Sequence, residues 1–343
     1  MEAENSRAFI MEYRTLGNTG LLVSVIGLGT TNFGGRLDYQ SSEKILKACL
    51  DFGINMVDTA DLYSSGVSEE FIGKAIKSKR HQYIIATKVG IPWEKGINKA
   101  GLSSAYIKRS VESSLKRLNT DYIDLYQAHI YDPLTPQEET LKALNDLVTQ
   151  GKVRYIGCSN YMAWEMVEAI NISRKFGWAE FSTVQPEYSM LVRDVENELI
   201  HACNKYSIGI LPYFPLASGF LTGKYKRNKP LPDGARLTNS PKIRQDKILT
   251  ETNYKVVENL TNWAKKKNKD ILNLAFAWLL SKKSVSSVIA GASNIAQLKA
   301  NSSTFKWKMN ENEIEEVNQI LPLSNRPGRG VGNLTGRRNI EIK

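Results

Sequence analysis

In the stretch NMVDTADLYSSG, residues 55–66, an apolar run ending at Val57 gives way to Asp58, Asp61 and Tyr63. Further on, Lys88 closes the run IIATKVG and His129 closes DYIDLYQAH. An aspartate, a phenol, an ammonium and an imidazole are the parts needed to protonate a carbonyl oxygen while hydride reaches its carbon. A phenol can give up that proton, but with an ordinary pKa of about 10 it is a reluctant carrier near neutrality. Lys88 beside it would stabilise the phenolate, and Asp58 would keep Lys88 charged and oriented at a partly buried site. His129 could donate a hydrogen bond to the same carbonyl oxygen and polarise it. Taken singly, each group has an ordinary alternative. Asp58 and Asp61 read equally as turn residues after a strand, Lys88 as a surface lysine and His129 as a hydrogen-bonded structural histidine.

Whether the four meet depends on the elements that carry them. Eight short apolar runs of β type recur along the chain: VSVIGLGT, INMVDTA, QYIIATKVG, DYIDLYQAH, VRYIGCSN, FSTVQPE, IGILPYFPL and SSVIAGAS. Between them lie stretches of helical period at 41–52, 68–77, 103–118, 136–149 and 164–176, several opening on Ser or Pro. Such alternation predicts an α/β chain closed into a (β/α)8 TIM barrel with every strand parallel. The rival, a doubly wound sheet, lacks its fingerprint: GLGTTNFGG has the first two glycines of the dinucleotide motif and not the third at its offset. In a barrel the active site lies at the C-terminal strand ends, which is where Asp58, Tyr63, Lys88 and His129 fall. YRTLGNTGLLVS, residues 13–24, predicts a hairpin ahead of the first barrel strand, with Gly17 and Asn18 as turn residues.

Composition narrows the function classes. No apolar run reaches the roughly 18 residues of a membrane span. The N-terminus, MEAENSRAFIMEYR, has no apolar signal region, so a cytoplasmic protein with no membrane partner is expected. Cys49, Cys158 and Cys203 stand apart without metal-ligand spacing, which predicts reduced thiols and no metal site. Cys158 has no basic partner in its motif and reads as a packing residue. The net charge of +11 is spread among acids along helices, as in IKRSVESSLKRLNTD, so no nucleic acid is expected. A small anion such as a cofactor phosphate is a more economical use of a few of those charges.

The ordered motifs VIGLGTTNFGG, NMVDTADLYSSGVSEEFIGKAI, IIATKVG, SVESSLKRLNTDYIDLYQAH, GKVRYIGCSN, VQPEYSML, LPYFPLASGFLTGKY and VIAGASNIAQLKAN resemble the aldo-keto reductase family over about Tyr13 to Leu321. The likeness is to its bacterial branch close to the voltage-gated potassium channel β-subunits. It implies a catalytic tetrad of Asp58, Tyr63, Lys88 and His129, with NADP(H) across the barrel mouth and an aldehyde or ketone as the small-molecule substrate. It also implies the cofactor residues. Thr30, Thr31 and Asp58 would border the cofactor, and Ser159, Asn160 and Gln185 would hold the carboxamide. Tyr213 would stack on the nicotinamide, though its Pro and Phe neighbours also fit simple packing. Pro215, Leu216 and Ser218 would wrap the pyrophosphate. Gly291 and Ser293 would start the last barrel helix at the 2′-phosphate, and Lys224 and Arg236 would add charge there. Gln297 and Asn301 would reach the adenine.

Two positions depart from the family pattern: Ala300 stands where relatives often carry a glutamate, and Phe214 replaces a common serine. Loops around Phe33, Trp93, Tyr131 and the residues after Phe220 are expected to set specificity. The expected organisation is a flexible N-terminus (1–12), a reductase barrel (13–322) and a tail (323–343), either frayed or a flap over the mouth. The alternative function is a cofactor-binding regulatory or ancillary subunit. A barrel isomerase or lyase without nicotinamide is disfavoured by Asn160, Gln185 and Tyr213.

Overall fold

Buried apolar runs alternating with capped amphipathic segments produce a succession of strands and helices. The computed structural model describes residues 11–93 and 96–321. It opens with an antiparallel hairpin, β1 (Tyr13–Thr15) and β2 (Leu22–Ser24), followed by β3 (Ile26–Gly29) and α1 (Tyr39–Asp51). Next come β4 (Met56–Asp58), α2 (Val67–Ile76), β5 (Ile84–Val89), α3 (Ser104–Leu118), β6 (Ile123–Ala128) and α4 (Gln137–Thr149). The chain continues through β7 (Val153–Ser159), α5 (Ala163–Phe176), β8 (Phe181–Gln185), α6 (Leu199–Tyr206) and β9 (Gly209–Ile210). Helices α7 (Lys242–Ile248), α8 (Glu251–Lys266) and α9 (Ile271–Leu280) precede β10 (Val288–Gly291), α10 (Ile295–Ser303) and α11 (Glu311–Ile320).

Strands β3 to β10 form one parallel eight-stranded sheet in the order β10, β3, β4, β5, β6, β7, β8, β9. Parallel bridges Ile210–Val285 and Tyr213–Ile289 bring the two edges together, so the sheet curls into the (β/α)8 fold. Alternate residues point inward, and Met56, Ile84, Ala86, Leu125, Leu211 and Ile289 fill the barrel with Leu16 and Val23 from the hairpin. The hairpin therefore plugs the end opposite the strand C-termini. Its loop is longer than the expected Gly17-Asn18 turn, closing through Leu16 N to Leu21 O at 2.8 Å. Gly17 sits at φ +59°, and a Cβ there would lie 2.0 Å from Ser182 O.

Helix ends follow the polar caps. Asp38, Ser103, Asp270 and Asn294 each accept a backbone N–H of the first turn of α1, α3, α9 and α10. The expected helix starts at 41 and 68 each move toward the N-terminus, to Tyr39 and Val67. Of the run IGILPYFPL only Gly209 and Ile210 are strand, since Pro212 offers no N–H to a ladder. The tail 323–343, with the flap considered for it, lies outside the described residues, as do residues 1–10. Among the described residues no helix is long and apolar enough to cross a membrane.

Candidate active site

The C-terminal strand ends bring the four reactive groups together. Asp58 is the last residue of β4, Lys88 lies in β5, His129 follows β6, and Tyr63 sits on a short turn after β4. Lys88 is fully buried and not a surface lysine. Its Nζ donates to Asp58 Oδ2 at 2.7 Å, to Thr59 O at 2.8 Å and to Tyr63 Oη at 3.3 Å. Burial alone would push Lys88 down, but Asp58 and Tyr63 outweigh it and hold the ammonium above the usual lysine range. The rings of Tyr63 and His129 meet edge to face with centroids 6.3 Å apart. Burial, followed by the charge of Lys88, holds His129 well below the usual histidine range, so its imidazole is neutral near pH 7.

A second group borders the first. Gln185 Nε2 donates to Asp58 Oδ1 at 2.8 Å, and Gln185 O accepts from Ser159 Oγ at 2.7 Å. Asn160, at φ +59°, donates to His129 O at 3.0 Å and to Ser159 Oγ at 3.1 Å, and its Oδ1 accepts from Tyr213 Oη at 2.8 Å. Ser159, Asn160, Gln185 and Tyr213 are thus one connected set tied to both Asp58 and His129. Cys158 beside them is fully buried, and burial pushes its thiol far up, which removes it as a nucleophile.

Asp58, Tyr63, His129, Ser159, Asn160, Gln185 and Tyr213 line a cavity of about 540 Å³. Thr31, Pro215, Leu216, Ser218, Lys224 and Arg236 border it, as do Gly291, Ser293, Gln297 and Asn301. Thr30 does not: it is fully buried, and its hydroxyl donates to Asp58 O at 2.9 Å, so it supports the strand end from behind. Gly291 ends β10, and Ser293 precedes the true cap of α10, Asn294, so neither starts that helix. The Ser293 N–H is taken by Gln297 Oε1 at 2.8 Å. The loop around Phe33 reaches the cavity through Thr31, Asn32 and Arg36, Phe33 itself being a core residue with no exposure, and neither Trp93 nor Tyr131 borders the cavity. Tyr131 packs edge-on against Tyr161 and Trp164 instead.

Sequence reasoning missed a third cation here. Arg36, just after the FGG of the loop following β3, borders the same cavity and lies close enough to Lys224 and Arg236 for its charge to act on both. Burial and then Arg36 hold both Lys224 and Arg236 below their usual ranges. Among the described residues no ion pair involves any of the three. Phe214, at φ +51°, has Arg236 4.6 Å and Arg244 4.5 Å from its ring centre, and Arg244 pairs with buried Glu187 at 2.7 Å. Cation contacts of this kind explain an aromatic at 214. The signal for Arg36 was a lone arginine in a glycine-rich loop past a strand end.

The family model described as the aldo/keto reductase family matches residues 25–322. The chain belongs to the aldo/keto reductase family. An aldo-keto reductase of Bacillus subtilis, YhdN, is 36% identical to it, the alignment covering 91% of this chain and 94% of that one. An aldo-keto reductase of Fusarium vanettenii is 33% identical, covering 91% and 92%. A protein of Arabidopsis thaliana named "Probable voltage-gated potassium channel subunit beta" is 35% identical, covering 85% and 90%. Family membership makes the chain an oxidoreductase by descent.

Proposed function

We propose that this aldo/keto reductase reduces aldehydes or ketones with NADPH, using Tyr63 as the general acid. The observation that carries the reading is the buried Lys88 Nζ, 2.7 Å from Oδ2 of buried Asp58 and 3.3 Å from the Tyr63 hydroxyl. Tyr63 gives its proton to the carbonyl oxygen. Lys88 stabilises the phenolate left behind, and Asp58 keeps Lys88 charged. Neutral His129 donates a hydrogen bond to the same oxygen, where negative charge develops.

The donor set fits a phosphorylated dinucleotide. Amides, hydroxyls and the Tyr213 ring border the cavity beside the tetrad, and Arg36, Lys224 and Arg236, which make no ion pair among the described residues, border it as well. When bound, NADPH supplies the hydride. Asn160, Gln185 and Ser159 would hold its carboxamide, Tyr213 would fix the ring, and the loop at Pro215, Leu216 and Ser218 would supply backbone donors to the pyrophosphate. Gln297 and Asn301 would meet the adenine, and the three cations its 2′-phosphate.

Purified protein with NADPH and 4-nitrobenzaldehyde tests this directly, through loss of cofactor absorbance. A second reading, a cofactor-binding ancillary subunit, draws on the similarity to the Arabidopsis protein. Tight NADPH binding with no turnover on a panel of sugar and aromatic carbonyls would favour it.

A further inference from the structure

The turn that presents Tyr63 is strained. Ser64, Ser65 and Gly66 follow it at φ 50°, 56° and 91°, three left-handed residues in succession. Such a run is unfavourable for L residues and persists only where the surroundings impose it. Two struts do so. Ser64 Oγ donates to Phe33 O at 2.8 Å. From beneath, the Arg117 side chain in the last turn of α3 lies so close to Gly66 that a Cβ there would stand 2.8 Å from Cδ and 3.0 Å from Nε.

Arg117 is itself fixed. Its Nε donates to Glu69 Oε2 at 2.7 Å, its Nη2 to Ser114 Oγ at 3.3 Å, and its guanidinium lies 5.9 Å from the centre of the Trp93 indole. Glu69, on α2, is fully buried, and its Oε1 accepts from Thr87 Oγ1 at 2.6 Å. Thr87 is the neighbour of Lys88 in β5. A continuous chain therefore runs from the strand that carries the ammonium, through Thr87, Glu69 and Arg117, to the turn that carries the phenol.

Asp61 completes the group. Its N–H donates to Lys88 O at 3.3 Å, and its carboxyl is 1% exposed. Neither carboxyl oxygen makes a hydrogen bond of full geometry, with the Leu62 amide and the Trp93 indole giving partial support. Burial and then Glu69 push this carboxyl up to about 8, against the pull of Arg117. The ionisable groups around it are Glu69 from α2, Arg117 from α3 and Tyr126 from β6. Arg117 is the cation among them.

We propose that Arg117 is a positioning residue for the reduction, acting through Gly66 to hold the Tyr63 hydroxyl in register with Lys88. It does not border the cavity. The inference rests on Tyr63 being the proton donor. A flat guanidinium fits beneath a residue without Cβ while still pairing with Glu69, whereas an ammonium keeps the charge and loses the plane. Misplacing a reacting group by about 1 Å can cost about 10²-fold in rate.

Full-length Arg117→Met, Arg117→Lys and Gly66→Ala are compared with the parent and with Tyr63→Phe. The readouts are NADPH oxidation by 4-nitrobenzaldehyde, fluorescence titration of NADPH, and melting curves that keep every assay below unfolding. Arg117→Met should lower kcat about tenfold or more while KM for the aldehyde and Kd for NADPH stay within about twofold. Arg117→Lys should recover part of the rate, and Gly66→Ala, which forces the turn off Arg117, should lower kcat in the same pattern. Parental kcat in Arg117→Met, or a loss confined to KM or Kd, overturns the proposal. If Arg117→Met does not fold, the other two variants decide it, and parental kcat in both overturns it. An active Tyr63→Phe sinks the proton-donor reading and this inference with it. An inactive Tyr63→Phe beside a fully active Arg117→Met sinks this inference alone.

Discussion

Gln185 holds Asp58 from across the barrel: Nε2 donates to Oδ1 at 2.8 Å, while Lys88 takes Oδ2 at 2.7 Å. The two residues are on β8 and β4, four places apart in the eight-stranded circuit. A carboxylate fixed at both oxygens cannot swing, so Lys88 meets Tyr63 at a set distance. The same amide belongs to the set proposed for the carboxamide, which couples cofactor site and tetrad through one side chain.

Tyr63→Phe removes one hydroxyl and little volume. Reduction of 4-nitrobenzaldehyde should fall below detection with NADPH affinity nearly unchanged. A variant keeping a tenth of parental kcat would limit the hydroxyl's contribution to about 1.4 kcal/mol and exclude it as the general acid.

Lys88→Met leaves the Asp58 carboxylate buried without its cation. Urea unfolding should register a loss of about 3–5 kcal/mol along with the activity. Adding Asp58→Asn should recover most of that stability and none of the rate. A single variant as stable as the parent would mean that the pair is not held as described.

Arg36→Ala, Lys224→Ala and Arg236→Ala should each raise KM for NADPH much more than KM for NADH, since only NADPH carries the 2′-phosphate. The Gln297→Ala variant should weaken both cofactors alike. Equal weakening of both by the three cation variants would move those residues off the phosphate.

Asp61→Asn tests the buried carboxyl through stability against pH. With the folded carboxyl up at about 8 against an ordinary 3.8, the folded chain holds a proton that the unfolded chain has lost between those values. That contribution is complete below about pH 4 and is lost as pH rises through about 8. Asparagine removes the dependence. The melting temperature of Asp61→Asn should therefore gain on the parent as pH rises from 4 to about 8. A gap that does not change with pH would place the carboxyl in water.

The barrel was legible because each buried parallel strand is a short apolar run, and the helices between announce themselves by period and cap. The run at 208–216 misled, because apolar character persists past Ile210 while Pro212 breaks the ladder. Strand-end position made Asp58, Lys88 and His129 readable as neighbours, and Tyr63 came with Asp58 by chain proximity. Thr30 follows a strand end, as Thr31 does, yet its side chain is buried and only Thr31 of the two borders the cavity, which the loop around Phe33 reaches through Thr31, Asn32 and Arg36.

The order and chemical kind of the reactive groups are local properties, so the sequence alone determined the fold class and which four reactive residues fall at neighbouring strand ends, Asp58, Tyr63, Lys88 and His129. Distances between strands far apart in the chain depend on how the sheet curls and staggers, and these are collective properties of every strand at once. Only the tertiary structure could therefore set Gln185 against Asp58, bring Arg36 near Lys224 and Arg236, and place Arg117 beneath Gly66, because each contact joins segments that no periodicity connects.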